Sequence, residues 1–305
     1  MLMSAYDYLA NIYDDYQGFD ENELAHEWAN FIEAVYRKHA VLNDDEDTGI
    51  YALDLGCGTG QVTWNLAKRS WHTYGIDNSP AMLNIAWNYE YDSEVDSEYE
   101  FLGDSEYEFL GDSEYGSEGG SEDDSEYGSE GDSEGEDFVR PAFLLQDMTD
   151  FDLGFELDII YTSLDSYNHL DAESLQLSLQ RSYESLRPGG VLLFDLHAES
   201  YFLEYLDGQE FHDISNDYAI YWSSVYDQET QRNIASIDVF EAINGEETKN
   251  LYERNSVEII EYFHEARTVV NHLENLGFSA RILTENDSKF IDAWDGQRIF
   301  ILAIK

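Results

Sequence analysis

Cysteine is nearly absent from the 305-residue chain: Cys57 is the single example, which excludes an intrachain disulfide. The first residues, MLMSAYDYLANIYDDY, contain neither the basic nor the apolar segment of a secretory signal. No stretch approaches the roughly 18 consecutive apolar residues that a membrane-spanning helix needs. Together these absences predict a soluble, cytoplasmic protein without a membrane partner.

Basic residues are also scarce, with 15 Lys and Arg against 66 Asp and Glu and a net charge of −51. Residues 92–137 contain 20 of the acids and none of the bases, so the rest of the chain still has 46 acids against 15 bases. Such a surface repels phosphate backbones, which disfavours nucleic acid as a partner. Acidity of this extent is also typical of proteins that stay soluble in a salt-rich cytoplasm, so we expect a halophilic protein.

The acidic stretch is built on a repeat, because DSEYEFLG occurs twice in succession at residues 96–111 and a degenerate continuation ends at residue 137. Ser, Glu, Asp and Gly dominate it, so it cannot bury enough apolar surface to offset the entropy of ordering. We therefore expect residues 92–137 to be a low-complexity, disordered insertion between a helix and a strand, away from the chemistry. Recruitment of a basic partner is the alternative.

Apolar runs alternate with helical patterns over the first 200 residues. Five runs are predicted as strands: IYALDL (50–55), HTYGID (72–77), FLLQD (143–147), LDIIYTSL (157–164) and VLLFDLH (191–197). Residues 21–39 are predicted as an amphipathic helix, and Asn78 or Ser79 followed by Pro80 predicts the start of another. Nearly continuous apolar strands separated by helices indicate an α/β protein with a doubly wound parallel sheet.

The pattern changes in residues 201–262. The aromatic and β-branched segments YAIYWSSVYD, RNIASIDVFE and LYERNSVEIIEY follow one another without helices, and DQET and NGEE occupy the places of hairpin turns. These residues are predicted to form an antiparallel β lid on a core made by residues 1–200. Residues 263–305 are predicted as a helix that ends at Gly277 and two strands, SARILTE and RIFILAIK, that complete the core sheet.

The segment DLGCGTG (54–60) lies between the first predicted strand and the next helix. Gly56, Gly58 and Gly60 permit a tight turn and let a ligand lie against bare backbone. A dinucleotide fingerprint needs glycine at its first, third and sixth positions, and the sixth position here is Gln61. The pattern therefore disfavours NAD or NADP.

DLGCGTG, with an acid two residues before its first glycine, resembles motif I of Class I S-adenosylmethionine-dependent methyltransferases. Further matches follow in order: Asp77 at the end of YGID, QDM at 146–148, and LRPGGVLLFD before the fifth strand. The resemblance implies a Rossmann-like seven-stranded methyltransferase sheet and S-adenosyl-L-methionine as cofactor, with Asp77 on the ribose and Asp147 on the adenine. It implies these cofactor-binding residues: Asp54, Gly56, Cys57, Gly58, Gly60, Asp77, Asn78, Met82, Asp147, Met148 and Leu164.

Each of these residues also has a structural interpretation that the sequence leaves open. Asp54 could orient the glycine loop, Asp77 could cap the following helix, and Asp147 and Met148 could be ordinary strand-end residues. Cys57 has no paired base in view, which disfavours a nucleophilic role.

The resemblance extends to a group of small bacterial methyltransferases with a β-rich lid and undefined substrates. It rests on YDYLANIYDDY, EWANF, LDSYNHL, FDLH, the β-rich C-terminal part and the RIFILAIK ending, with the acidic repeat as the departure. It implies a methyltransferase that acts on a small-molecule acceptor. The alternatives are an RNA or protein methyltransferase, or a non-catalytic protein that binds a cofactor and recruits a partner through the repeat.

Polar residues that follow the fourth and fifth strands are candidates for chemistry, because ligands bind outside the carboxyl ends of such strands. His169 or His197 could act as a general base, and Tyr13 could close over the cofactor from the N-terminal helix. The candidates for acceptor binding are Asp165, Asn168, Tyr221, Trp222 and Arg254. A structural histidine, a sheet-core aromatic residue or a surface charge is the alternative in each case.

No spacing of His, Cys or acidic residues matches a known metal motif, so no metal site is predicted. The methyl acceptor and the oligomeric state cannot be read from the sequence.

Overall fold

The computed structural model describes most of the chain on either side of the acidic repeat. The described residues are 4–17, 23–41, 49–89, 139–215, 217–243, 251–291 and 296–305. The predicted disordered insertion at 92–137 and the predicted NGEE turn lie outside them.

Six α-helices occur in the described residues: α1 (Ala10–Gln17), α2 (Glu23–His39), α3 (Gln61–Ala67), α4 (Pro80–Asn88), α5 (Ala172–Ser185) and α6 (Ala266–Leu276). Short 3₁₀ turns cover Ala5–Tyr8 and Ser166–His169, and a π-helical turn covers Tyr201–Leu206. The strands of the described residues are β1 (Tyr51–Leu55), β2 (His72–Asp77), β3 (Ala142–Leu145), β4 (Leu157–Tyr161), β5 (Leu186–His197), β6 (Glu210–Ile214), β7 (Tyr218–Asp227), β8 (Arg232–Ala242), β9 (Tyr252–Tyr262), β10 (Ser279–Ile282) and β11 (Arg298–Ile304).

Seven of these strands form one sheet in the order β10-β11-β5-β4-β1-β2-β3. β1 pairs in parallel with β2 and with β4, whereas β11 is antiparallel to both of its neighbours, β5 and β10. The remaining strands form a separate antiparallel sheet in the order β6-β7-β8-β9, called the second sheet below. The predicted α/β fold, with a seven-stranded doubly wound sheet and an antiparallel addition, is confirmed.

The strand order reverses between β1 and β4. From β1 the chain moves outward through β2 to β3, and it then returns to β4 on the other side of β1. In open α/β sheets, ligands bind at such a reversal, in the crevice outside the carboxyl ends of the strands. The segments that follow Leu55 and Tyr161 meet at this point.

Helices cover both faces of the large sheet. Ile160 of β4 packs in one buried cluster with Leu179 of α5 and Leu273 of α6. Its neighbour Tyr161 packs in the opposite cluster, with Trp28 and other residues of α2 and α3. Because alternate strand residues point to opposite faces, each continuous apolar strand can serve both clusters.

Local signals in the sequence correctly predict several helix ends. Ser79 caps α4, because its Oγ accepts a hydrogen bond from the Met82 N–H at 3.2 Å and Pro80 is the first helical residue. α6 ends at Gly277, whose φ of +112° is in the left-handed region. The strand predicted at 191–197 begins earlier, at Leu186, because the RPGG segment continues alongside β4 through an irregular register.

The second sheet rests on the N-terminal segment. Leu9 and Ile12 are buried against a cluster that includes Tyr218, Ile220 and Val239 of the second sheet. Strand β6 was not predicted, because all of its residues are exposed and it lacks an apolar alternation. Among the described residues, no helix combines the length and apolar character that a membrane crossing requires.

Candidate functional site

A tight glycine loop connects β1 to α3. The φ angles of Gly56, Gly58 and Gly60 are +73°, +53° and +77°. A side chain at Gly60 would have to adopt this left-handed φ, and its Cβ would also lie 2.7 Å from the Phe143 ring. The N–H of Gly56 donates to the carbonyl oxygen of Ile76 at 2.8 Å, which holds the loop against the end of β2.

Asp77, at the end of β2, fixes the loop from the other side. Its Oδ2 accepts a hydrogen bond from the Gly58 N–H at 2.9 Å, and its Oδ1 accepts one from the Ser79 N–H at 2.8 Å. Burial raises the pKa of Asp77, and these two N–H groups act in the opposite direction. Asp77 therefore holds the glycine loop and the start of the α4 segment together, and it also presents a carboxylate to the adjoining cavity.

Asp54 lies beneath the loop. It is 1% exposed, and its Oδ2 accepts a hydrogen bond from the Thr63 hydroxyl at 2.8 Å, which joins β1 to α3. Burial raises the pKa of Asp54 to about 7, and the Thr63 hydroxyl partly offsets this effect. Asp54 and Gly60 do not line the cavity, so the geometry favours the structural interpretation for both.

The glycine loop, the ends of β2 and β3 and the N-terminal segment enclose a cavity of about 270 Å³, the glycine-loop cavity. Nine of the residues predicted to bind the cofactor line it: Gly56, Cys57, Gly58, Asp77, Asn78, Met82, Asp147, Met148 and Leu164. Its described lining contains three carboxylates, from Asp77, Asp147 and Glu258, and neither Lys nor Arg. This charge pattern suits a cationic or neutral ligand and disfavours a phosphate.

The Cys57 thiol lies within this lining. Burial raises its pKa well above the ordinary value, and the nearby Asp77 raises it further. The thiol is therefore protonated at neutral pH, which disfavours a nucleophilic role for Cys57.

Hydrogen bonds to two acids of the N-terminal segment hold this segment over the glycine-loop cavity. Asp14 of α1 accepts hydrogen bonds from the Thr59 hydroxyl at 2.5 Å and from Gln61 Nε2 at 2.8 Å. Asp7 accepts one from the Ser79 hydroxyl at 2.6 Å, at the start of α4. Sequence reasoning did not single out either acid, although both lie in the motif YDYLANIYDDY.

A second cavity, of about 290 Å³, lies between the large sheet and the second sheet and is called the histidine cavity. Its lining includes the predicted residues His197, Asp165 and Trp222, together with Glu261 and Arg298. The two cavities adjoin, because five residues line both of them: Tyr6, Tyr13, Leu164, His169 and Ile259.

Asp165 is the centre of a buried charge network in the histidine cavity. Its Oδ1 lies 2.8 Å from Arg298 Nη1 and 3.2 Å from His197 Nε2. The same Arg298 nitrogen donates to Asp195, whose Oδ2 also accepts the Asp165 N–H at 2.9 Å. Leu164 and Asp165 have φ angles of +54° and +57°, a strained conformation for residues with side chains that clusters at functional sites.

The pKa values of Asp165 and Asp195 are shifted in opposite directions from the ordinary value. Burial alone would raise the pKa of Asp165, but the charges of His197 and Arg298 outweigh it and hold this pKa below its usual range. Burial dominates at Asp195 and raises its pKa. Asp165 is therefore ionised at neutral pH, beside the Arg298 guanidinium.

His169 and Tyr13 lie on the boundary between the cavities. His169 Nε2 lies 3.0 Å from the Tyr6 hydroxyl and 4.0 Å from Asp165 Oδ2. Burial raises the pKa of Tyr13, and Asp165 and Asp77 raise it further, so its phenol remains protonated. Tyr13 can therefore donate a hydrogen bond at neutral pH, but it cannot serve as a base.

Three predicted acceptor-binding residues lie apart from the cavities. The Asn168 amide is buried and structural, because its Nδ2 donates to the Tyr262 carbonyl at 2.8 Å and its Oδ1 accepts the His197 N–H at 3.0 Å. Tyr221 is on the opposite side of β7 from Trp222, since successive strand residues alternate. Arg254 is exposed and pairs with Asp238 at 2.9 Å.

Sequence reasoning missed Glu261 and Arg298. Arg298 is the charged residue at the start of the otherwise apolar strand RIFILAI, and its pairing with His197 across β5 and β11 depends on tertiary structure. Glu261 lies in the alternating segment SVEIIEY, which by itself reads as a strand with one solvated face. A charge at the start of a buried strand was the available signal for Arg298, whereas Glu261 lies in a mostly exposed strand and gives no such signal.

Comparison with known proteins assigns the chain to a family. A family model described as "Methyltransferase domain" matches residues 19–281. YqeM of Bacillus subtilis strain 168, named as a candidate methyltransferase, is 25% identical over 98% of this chain and 97% of its own.

Solved structures show the same fold. One is a S-adenosylmethionine-dependent methyltransferase from Clostridium acetobutylicum, with a TM-score of 0.64, 21% identity and coverage of 99% of both chains. Another is the sugar N-methyltransferase KedS8 from Streptoalloteichus, with a TM-score of 0.63, 17% identity and coverage of 96% of this chain and 92% of that one.

Proposed function

Because the chain belongs to the methyltransferase family, we propose that it transfers a methyl group from S-adenosyl-L-methionine to a small-molecule acceptor. The observation that carries this proposal is the pair of adjoining cavities at the reversal of the strand order. The glycine-loop cavity receives the cofactor, and the histidine cavity receives the acceptor.

The lining of the glycine-loop cavity fits the cofactor. The Asp77 carboxylate can accept hydrogen bonds from the two hydroxyls of a ribose, and Met82 and Met148 provide apolar contact. The three carboxylates and the lack of Lys and Arg in the described lining suit a sulfonium ion, which is positive, and would repel the phosphates of a dinucleotide.

The histidine cavity supports a compact acceptor. Its volume of about 290 Å³ is close to the lower end of the range for small-molecule pockets, roughly 300–1,000 Å³. The sugar N-methyltransferase with the same fold acts on a small molecule, as its name states. The net charge of −51 disfavours a nucleic-acid acceptor.

The chain contributes mainly positioning and the exclusion of water. S-adenosyl-L-methionine, when bound, supplies a methyl group on an activated sulfonium. Leu164 and Tyr13, on the boundary of both cavities, would orient the acceptor towards the cofactor, and the docked N-terminal segment keeps water out. Where the acceptor must lose a proton, His169 is the histidine that lines both cavities and can accept it.

Calorimetric titration of the purified protein tests the cofactor assignment. We expect binding of S-adenosyl-L-methionine and of S-adenosyl-L-homocysteine, and no binding of NADH at the same concentration. Failure to bind S-adenosyl-L-methionine at about 1 mM would defeat the proposal, since enzyme KM values lie between about 1 μM and 1 mM. A screen of metabolite pools with methyl-labelled cofactor then tests the acceptor class, and label transferred only to RNA or protein would contradict it.

A further inference from the structure

Glu261 of β9 is a carboxylate held in place on the wall of the histidine cavity. It is 8% exposed. Asn233 Nδ2 donates to its Oε2 at 2.9 Å, and the Ser224 hydroxyl in turn donates to Asn233 Oδ1 at 2.7 Å. This chain of hydrogen bonds crosses three neighbouring strands and fixes the orientation of the carboxylate.

No Lys, Arg or His among the described residues forms an ion pair with Glu261. The Arg298 guanidinium, which lines the same cavity, is engaged by Asp165 and Asp195. A buried carboxylate without a direct ion pair is costly unless a ligand supplies the positive charge. The cavity therefore has a place for a positive charge.

A metal ion could in principle supply that charge, because ligand atoms of Glu261, Asp165 and His197 lie within 4.8 Å of one another. The Arg298 guanidinium argues against a metal there. It lies 2.8 Å from Asp165 Oδ1, so it competes for this carboxylate and would repel a cation beside it. A metal held by all three groups would have to bind Asp165 beside this guanidinium, whereas an organic cation can bind Glu261 alone.

Aromatic rings surround the same space. Tyr16 and Trp222 line the cavity with ring centroids 5.8 Å apart, and Tyr6, Tyr13 and Tyr201 line it as well. Aromatic faces attract cations, most strongly where water is excluded. The indole N–H of Trp222 is buried without a hydrogen-bond partner among the described residues, so it can donate to a polar atom of a ligand.

From Glu261 and these rings we infer that the methyl acceptor is an amine, held through its ammonium group by the Glu261 carboxylate. Aliphatic amines are positively charged at neutral pH, as the lysine side chain is. The ammonium anchors the acceptor, and the methylated atom is the one that this anchor brings to the boundary of the two cavities. This inference rests on the proposed function, because it identifies the class of molecule that the histidine cavity receives.

Two pairs of probes that differ only in the charged group test this inference: cyclohexylamine against cyclohexanol, and phenethylamine against 2-phenylethanol. The full-length protein is first saturated with S-adenosyl-L-homocysteine, and binding is measured by calorimetry in the presence of EDTA. We expect each amine to bind at least about tenfold more tightly than its alcohol, as one desolvated ionic hydrogen bond provides.

Variants of two glutamates on β9 then locate the effect. Glu261→Gln should remove the preference for amines and leave the affinity for S-adenosyl-L-methionine unchanged, while Glu261→Asp should keep part of the preference. Glu253→Gln, at an exposed position of the same strand, is the matched control and should behave as the wild type. A preference that survives in Glu261→Gln would overturn the assignment to Glu261.

The wild-type measurement decides the matter even where Glu261→Gln fails to fold. A protein that binds S-adenosyl-L-methionine but shows no preference for either amine would overturn the amine inference and leave the methyltransferase proposal intact. A preference that appears only after a divalent metal is added would overturn it in favour of a metal site. A protein that does not bind S-adenosyl-L-methionine would overturn the proposed function itself.

Discussion

The two cavities are built in different ways. About half of the lining of the glycine-loop cavity comes from short segments at the ends of β1, β2 and β3, each of which carries a recognisable motif. The histidine cavity is formed by side chains from the N-terminal segment, the ends of β4 and β5, the second sheet and β11. The first is therefore visible in the sequence as motifs, and the second exists only after the chain has folded.

The largest effect is expected at Asp77, the one side chain on which the glycine-loop cavity most depends. Asp77→Ala removes the predicted ribose acceptor and also leaves the N–H groups of Gly58 and Ser79 without their partner. We expect the Kd for S-adenosyl-L-methionine to rise about 100-fold, since the loss of such charged hydrogen bonds costs about 3 kcal/mol. The Kd of the wild type and of the variant is measured by calorimetry.

Asp147→Ala provides the comparison within the same cavity. The Asp147 carboxylate is exposed and caps a turn through the Thr149 N–H at 2.8 Å, so the change in Kd should be about threefold. Equal effects of the two variants would show that the cavity does not depend on Asp77 in the way described.

A pH series tests how the buried Asp54, which lies beneath the glycine loop, contributes to stability. The pKa of Asp54 is raised to about 7 by burial, so its contribution to stability is present at low pH and is lost as the pH rises from about 4 through 7. Asp54→Asn should remove this loss. We therefore expect the free energy of unfolding of the wild type, relative to Asp54→Asn, to fall by about 2.5 kcal/mol between pH 5 and pH 8. Urea unfolding at several pH values checks it, and a constant difference would contradict it.

Substitution of two glycines with similar φ angles distinguishes the cost of backbone strain from the cost of steric crowding. Gly60→Ala forces a side chain into a left-handed φ of +77° and places its Cβ 2.7 Å from Phe143, whereas Gly154→Ala has a similar φ of +76° with nothing within 4 Å. We expect Gly154→Ala to lower the free energy of unfolding by about 1 kcal/mol and Gly60→Ala by about 2 kcal/mol more. If urea unfolding gave similar losses of unfolding free energy for the two variants, the side chains around Gly60 would have to move aside at little cost.

Neighbouring residues of β7 test the histidine cavity. Trp222 lines it, while Tyr221 points to the other side of the strand. Once an acceptor is identified, Trp222→Phe should raise its KM about fivefold through the lost contact area, and Tyr221→Phe should leave KM within twofold. A larger increase of KM in Tyr221→Phe would indicate that Tyr221 contacts the acceptor, and it would contradict the described orientation of β7.

The fold and the glycine-loop cavity could be predicted because their signals are local. Ser79 followed by Pro80, Gly277 after an amphipathic helix, and the spacing of Gly56, Gly58 and Gly60 each act within a few residues. Such signals depend on backbone geometry that a short stretch of sequence determines by itself.

The histidine cavity could be predicted only in part. His197 and Asp165 were predicted as site residues because they follow the fifth and fourth strands, and Trp222 was one of three candidates in residues 201–262. Arg298 and Glu261 come from strands whose position relative to β5 and the N-terminal segment depends on long-range pairing. A charge on such a strand gives no sign of whether it faces water or a cavity until the neighbouring strands are known.

The docking of the N-terminal segment has a consequence for how ligands are exchanged. Asp7 and Asp14 fasten the segment that bears Tyr6 and Tyr13, and these two rings form part of the wall between the cavities. Because these two rings line both cavities, displacement of the segment would open both cavities together.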